Sequence, residues 1–278
     1  MHILFDIGGS KMRVAGTNNL REFSGEPQVV DTPTEFDDGI ALLKKLILDT
    51  ANGEDIEEIA GCASGPFDQK AGVLMGGPNL PQWIGRPLRN ELEKACGAEV
   101  RIENDAALVG LGEMHFGAGE KTGVAAYLTV STGVGGARFV DGMIDQSASG
   151  FEPGHQIVDA DKTLCPDCED GTLEALIGGA ATERRMGKKP YAIKEQSFWD
   201  YYAKILAYGL NNTIVYWSPN VVVLGGSMII GDPAISVSQV EKYVREMTHI
   251  FPTIPDIRQA TLGHFGGLYG AMALLGQR

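Results

Sequence analysis

The sequence predicts an α/β protein made of two related domains, each with a mixed sheet, facing one another across a cleft. Strand-like and helix-like segments alternate along the chain with no low-complexity linker between them. Two strand hairpins with glycine and hydroxyl residues at their tips, at 6–11 and 130–136, point to a duplicated unit. Two ordinary hairpins are the alternative, since glycine suits any tight turn. The 278 residues, 44% of them hydrophobic, are enough for two cores.

The elements follow from local pattern. Ile3 to Asp6 is an apolar strand, Gly8-Gly9 turns it, and a second strand leaves from Met12. Ile40, Leu43, Ile47 and Ala51 recur at helical spacing within an expected helix over 36–51. A strand is expected over 56–63, a Gly/Pro-rich loop over 73–88, and a short helix over 88–96. Val100 to Glu103 reads as a strand running into Asn104-Asp105, and 106–116 as a helix of small residues. Strands at 124–131 and 134–140 repeat the opening device. Helices are then expected over 171–186 and 198–217, with a buried strand at 220–224 that ends in Gly225-Gly226. A small-residue helix closes the chain. Domain boundaries are placed at 1–103 and 104–265, with the closing helix 266–278 packing back on the first domain.

Charge narrows the function classes. Lys and Arg number 23 against 36 Asp and Glu, a net charge of −13 that disfavours nucleic acid as a partner. A locally positive pocket for a small phosphorylated ligand remains compatible with that balance. No apolar run approaches the roughly 20 residues of a membrane span, and the N-terminus reads as a strand rather than a leader. Four cysteines are too few and too uneven for a disulfide framework, so a cytoplasmic setting is expected.

Three constellations carry chemistry. In Asp6-Ile7-Gly8-Gly9-Ser10-Lys11, consecutive glycines let backbone N–H groups approach an anion. Ser10 adds a hydroxyl and Lys11 a cation, and Asp6 is suited to Mg²⁺ through water. Neither a P-loop nor a dinucleotide fingerprint occurs. Glu103-Asn104-Asp105-Ala106 lies where a strand opens a helix: an Asx cap explains one residue, and Asn104 as the cap leaves Asp105 to accept the proton of an attacking hydroxyl. Glu152-Pro153-Gly154-His155 precedes Cys165-Pro166-Asp167-Cys168, which is either a turn with two thiols or part of a zinc site with His155.

Taken together these segments resemble the ROK family (repressors, open reading frames and sugar kinases) of the actin-like ATPase superfamily. DIGGSKMRVAG and YLTVSTGVGGARFVDGMI are similar to its two phosphate motifs, and GCASGPFDQKAGVLMGGPNLPQWIGRPL to its sugar-side loop. ENDAALVGLGEMHFGAG resembles the catalytic segment, FEPGHQIVD the ExGH signature, GTLEALIGG the segment after the metal loop, VVVLGGSM the adenosine side and GLYGAMALL the closing helix. The resemblance implies two actin-like, ribonuclease H-like domains and ATP-dependent phosphorylation of a hexose hydroxyl, as in glucokinases and hexokinases. It implies Asp105 as general base and Asn104 on a neighbouring hydroxyl. Asn79, Glu152, His155, Glu174 and the backbone around Gly65 would hold the other hydroxyls. Gly8, Gly9, Ser10, Thr132 and Gly133 would cradle the phosphates of ATP, with Mg²⁺, and Gly225-Gly226 the adenosine. A homodimer is also implied.

The metal loop departs from the family pattern. Asp167, Cys168 and Thr172 stand where a cysteine, a glycine and a cysteine are usual. Two expectations follow: zinc held by His155, Cys165 and Cys168 with Asp167 or Asp170 as fourth ligand, or a loop held by packing alone. Rival functions are a sugar-sensing repressor, a non-catalytic sugar-binding protein and a carboxylate kinase. The first lacks room for a DNA-binding helix ahead of the first strand, Asp105 argues against the second, and ExGH with Glu174 argues against the third. Glucose, fructose, mannose, allose and N-acetylhexosamines all remain candidate substrates.

Overall fold

The structure is a computed structural model that describes every residue except Pro78, Ser149 and Arg278. Arg278, the last residue of the expected closing helix, therefore lies outside the described residues. The chain forms two compact units, Met1–Gly112 with His264–Arg278, and Glu113–Gly263.

The first unit is built on β1 (His2–Ile7), β2 (Lys11–Thr17), β3 (Gln28–Asp31), α1 (Phe36–Ala51), β4 (Glu58–Ala63), the short hairpin β5 (Phe67–Asp68) and β6 (Val73–Leu74), α2 (Leu88–Cys96) and β7 (Glu99–Asn104). Its main sheet runs β3-β2-β1-β4-β7, antiparallel through the β1–β3 meander and parallel from β1 to β4 and β7. Ile3, Phe5, Ile7, Ile59 and Val100 face a core closed by Phe36, Ile40, Leu43 and Ile47 of α1. The alternate residues Leu4, Ala60 and Cys62 are just as buried, so this sheet is covered on both faces.

α3 (Asp105–Phe116) follows and carries the chain into the second unit. There the sequence forms β8 (Val124–Val130), β9 (Val134–Val140), β10 (Met143–Ile144), α4 (Leu173–Ile177), α5 (Gly179–Met186), α6 (Gln196–Trp217), β11 (Val221–Gly225), α7 (Ser227–Ile230), α8 (Val237–Met247) and β12 (Asp256–Gln259). The sheet order is β10-β9-β8-β11-β12, with β8/β9 and β9/β10 antiparallel and β8/β11 and β11/β12 parallel. Each unit thus holds a mixed five-stranded sheet with its strands in the spatial order 3-2-1-4-5. α6 packs its buried face, Trp199, Leu206 and Leu210 among them, between the sheet and α8. Among the described residues no helix is long and apolar enough to cross a membrane.

Two boundaries differ from the sequence expectation. The units divide after Gly112 rather than at 103/104, because the first part of α3 is packed on α9 (Gly266–Gly276). A Cβ on Gly112 would lie 2.7 Å from the Gly266 carbonyl oxygen, and one on Gly270 would collide with the Leu108 carbonyl. The helix expected over 171–186 is two helices. Gly178 between them is extended, and the amides of Gly179 and Ala180 donate to the Ser131 and Thr132 carbonyls instead of continuing α4.

Candidate active site

In the first unit the candidate residues collect at the carboxyl ends of parallel strands β1, β4 and β7, where open α/β sheets place their ligands. The β1–β2 turn is closed by the Gly8 amide donating to the Lys11 carbonyl at 2.9 Å. Thr32 fastens its tip: the Thr32 hydroxyl donates to the Gly8 carbonyl at 2.7 Å and its amide to the Ser10 carbonyl at 3.1 Å. Asn79 packs directly on Gly9, where an added Cβ would come within 2.5 Å of the Asn79 Cβ. Lys11 pairs at 2.6 Å with Asp31 across the β2–β3 register, and both side chains are exposed.

Asp6 sits behind this turn. Its Oδ2 accepts from Arg13 at 3.1 Å and its Oδ1 from the Cys62 thiol at 3.4 Å. Burial holds the Asp6 carboxyl above the usual aspartate range, outweighing Arg13 and Cys62, which pull the other way. The same burial, with the Asp6 and Asp105 carboxylates nearby, pushes the Cys62 thiol well above its ordinary value. Gly267, at the start of α9, lies so close to Asp6 that a Cβ there would be 2.9 Å from the carboxyl carbon.

At the end of β7, Asn104 takes the capping role. Its Oδ1 accepts the Ala107 amide at 3.1 Å, while its Nδ2 donates to the Gly65 carbonyl at 3.4 Å. Asp105 opens α3 with Oδ1 accepting the Ala106 amide at 2.9 Å. Gly65 has φ +129°, open only to glycine, and packs its Cα face on the Gly76 carbonyl. Gly9, Gly65, Asn79, Asn104, Asp105 and Asp6 are therefore one neighbourhood within this unit.

The second unit repeats the device. Ser131, Thr132 and Gly133 turn β8 into β9, with the Ser131 amide donating to the Gly133 carbonyl at 2.9 Å. Glu174 closes on this turn, its Oε2 accepting the Val134 amide at 2.7 Å. Glu174 is held there by α4, whose cap is the Thr172 hydroxyl accepting from the Ala175 amide. Glu152 precedes and His155 ends a short 3₁₀ turn, Pro153–His155, pressed flat on β9 because Gly154 admits the Val134 carbonyl. Partial desolvation and the Glu174 carboxylate hold the Glu152 carboxyl above the usual glutamate range, while His155 lowers it. These three residues therefore share one field.

Gly225 and Gly226 end β11. Gly226 has φ +90° and faces the Val130 carbonyl, and Gly225 faces the Tyr127 hydroxyl. Beside them lies a cavity of about 240 Å³ whose lining includes Thr132, Glu183, Lys189, Tyr191, Ser227 and Met228. Glu183 and Lys189 are paired at 2.7 Å on its wall. Thr132 lies in the second phosphate motif, and Ser227 and Met228 end the VVVLGGSM segment, whereas Glu183, Lys189 and Tyr191 escape sequence reasoning, because a pocket wall assembled from separate helices and loops leaves no local pattern. Thr32, Arg13 and Cys62 escape it for the same reason.

The structure does not support the zinc expectation. Cys165 and Cys168 are bonded to each other, so neither sulfur is a thiolate able to ligate a metal. His155 is left without its two expected co-ligands, and no group of three or more His, Cys, Asp or Glu suited to a metal occurs among the described residues. The hard carboxylate of Asp6 beside a glycine turn is, in contrast, a donor suited to the Mg²⁺ that accompanies a nucleotide.

Comparison with known proteins gives a consistent picture. A model of the ROK family matches residues 3–278. A glucokinase from Thermotoga maritima is 34% identical over 159 residues, which is 56% of this chain and 50% of the relative, so the match spans about half of that enzyme. An N-acetyl-D-glucosamine kinase from Pectobacterium carotovorum is 24% identical over 99% of this chain and 98% of its own length. Among solved structures, a ROK hexokinase from Thermus thermophilus superposes with a TM-score of 0.79 at 28% identity, covering 99% of this chain and 98% of that one.

Proposed function

The chain belongs to the ROK family, and on that premise we propose that it transfers the terminal phosphoryl group of ATP to a hydroxyl of a hexose. The observation that carries this reading is the division of labour at the end of β7. Asn104 supplies the helix cap, and the Asp105 carboxylate beside it, at the start of α3, is assigned to take the proton of the attacking hydroxyl. The hydroxyl oxygen attacks the γ-phosphorus, the bond to the β-phosphate oxygen breaks, and ADP leaves.

Asn79, Asn104, the Gly65 backbone, Glu152, His155 and Glu174 are assigned to the remaining hydroxyls. A planar amide or carboxylate that binds two hydroxyls rejects a sugar lacking one of them. The turns at Gly8-Gly9-Ser10 and Thr132-Gly133 are assigned to phosphates, Lys11 to their outer face, and Gly225-Gly226 with the adjoining cavity to the adenosine. Mg²⁺, held through Asp6, would neutralise charge on the phosphates. Most of the acceleration then comes from positioning and charge stabilisation.

Glucose is the first substrate to test, in the cytoplasm where ATP is available. The full-length match to an N-acetyl-D-glucosamine kinase favours an N-acetylhexosamine as the second. An ADP-release assay over a sugar panel decides both. Release that depends on one hexose supports the reading, and none above the ATP-only rate with any sugar overturns it.

A further inference from the structure

The loop that the family resemblance assigns to zinc closes on itself by a Cys165–Cys168 bond, and its surroundings give that bond a task. The two sulfurs differ in access. Cys168 is 4% exposed and belongs to the core of the second unit, whereas Cys165 is only partly covered and is followed by exposed Pro166 and Asp167. An incoming thiolate therefore reaches Cys165, and Cys168 is the leaving group.

Upstream, the loop is pinned by hydrogen bonds. The Asp159 carboxylate accepts the amides of Thr163, Leu164 and Cys165, and the Tyr201 hydroxyl donates to the Leu164 carbonyl. Downstream, the Cys168 sulfur lies 3.3 Å from the carbonyl oxygen of Ala175, the residue after Glu174 in α4. A disulfide sulfur has no proton to donate to that oxygen, whereas a thiol has one. Oxidation ties Cys168 to the Asp159-anchored loop. Reduction exchanges that covalent tie for a weak S–H bond to the backbone of α4, a five-residue helix.

We propose that Cys165–Cys168 is a reversible thiol–disulfide site that stands in for the metal, bracing α4 and Glu174 when oxidised and loosening sugar binding when reduced. The sugar effect rests on the assignment of Glu174 to the sugar. With a dithiol as reductant, one thiolate attacks Cys165 Sγ, the protein S–S bond breaks, and Cys168 departs with the electron pair and takes a proton. The second thiol of the reductant then displaces Cys165. Two electrons and two protons have passed to the protein, and the reductant leaves as its own disulfide.

The test uses the full chain, equilibrated with dithiothreitol or with its oxidised form and then alkylated. The peptide carrying Cys165 and Cys168 should gain two alkyl groups from the reduced sample and none from the oxidised one. Amide exchange over 173–177 should quicken on reduction. The sugar KM should rise about two- to tenfold, the cost of re-ordering one or two side chains on binding, with the ATP KM unchanged. The double variant Cys165→Ser/Cys168→Ser should give the reduced values in both buffers.

Two alkyl groups in the oxidised sample overturn the site. So does zinc that survives oxidant, detected by elemental analysis. Equal exchange rates over 173–177 in the two states overturn the brace, whatever the activity. Absence of turnover with every sugar in both states overturns only the kinase reading, since the alkylation and exchange results stand without it.

Discussion

Glu174 stands over Gly133, with Oε2 on the Val134 amide at 2.7 Å and no room between the two for a β-carbon. Asn79 bears the same relation to Gly9 in the other unit, where an added Cβ would lie 2.5 Å from the Asn79 Cβ. In each copy of the sheet, a polar side chain assigned to the sugar rests on the glycine of a turn assigned to phosphate.

Gly133→Ala should therefore act through Glu174. The methyl group displaces the flexible carboxylate end of Glu174 at little cost to the fold, and a loss of about 1 kcal/mol or more in its hydrogen bonding raises the sugar KM by roughly fivefold or more. Gly9→Ala should do the same through Asn79. Steady-state kinetics on both variants check this, and an unchanged sugar KM in both removes the contact from function.

Asp105→Asn should lower kcat by about 10²-fold or more. Folding should persist, because the cap of α3 is Asn104 and an asparagine at 105 keeps the acceptor for the Ala106 amide. Nucleotide binding by calorimetry should match the parent. A kcat loss of less than about tenfold rules out the base role.

Activity should depend on Glu152 in the acid range. Its carboxyl is held above the usual glutamate range, chiefly by desolvation, so it takes up a proton at a higher pH than an ordinary glutamate and ceases to be a charged acceptor there. As pH falls, kcat/KM for the sugar should therefore drop at a higher pH than an ordinary glutamate would cause. Glu152→Gln should abolish that limb at the expense of a uniformly higher sugar KM.

Thr172→Ala removes the α4 cap, whose hydroxyl accepts the Ala175 amide at 3.2 Å. A loss of about 0.5–2 kcal/mol in chemical denaturation is expected. A sugar KM higher than that of the parent should accompany it, because α4 carries Glu174.

The hairpin tips were legible because paired glycines at strand ends leave a mark in the sequence itself, and Asn104-Asp105 because a cap and a carboxylate stand side by side. Thr32 was not legible. Its hydroxyl and amide serve Gly8 and Ser10 from the far end of the meander, a relation with no local signature. The break at Gly178 was hidden in a stretch that reads as helix throughout, and only the Ser131 and Thr132 carbonyls, which capture the next two amides, create it. The spacing of the cysteine pair to His155 admits either zinc ligands or a loop held by packing alone, and spacing cannot tell a sulfur that meets a metal from one that meets another sulfur.

The return of α9 to the first unit has a consequence for the order in which the molecule is made. Leu268, Ala271 and Met272 are fully buried, and each of the two larger side chains contributes about 1.5–3 kcal/mol on leaving water. α9 packs on β1 and β4, strands that leave the ribosome long before it does. During synthesis the second unit, continuous from Glu113 to Gly263, has all its strands before the first unit can cover that face. The unit whose strands are translated first is completed only after the second has emerged, and a chain cut before α9 would expose the apolar sheet face that this helix covers.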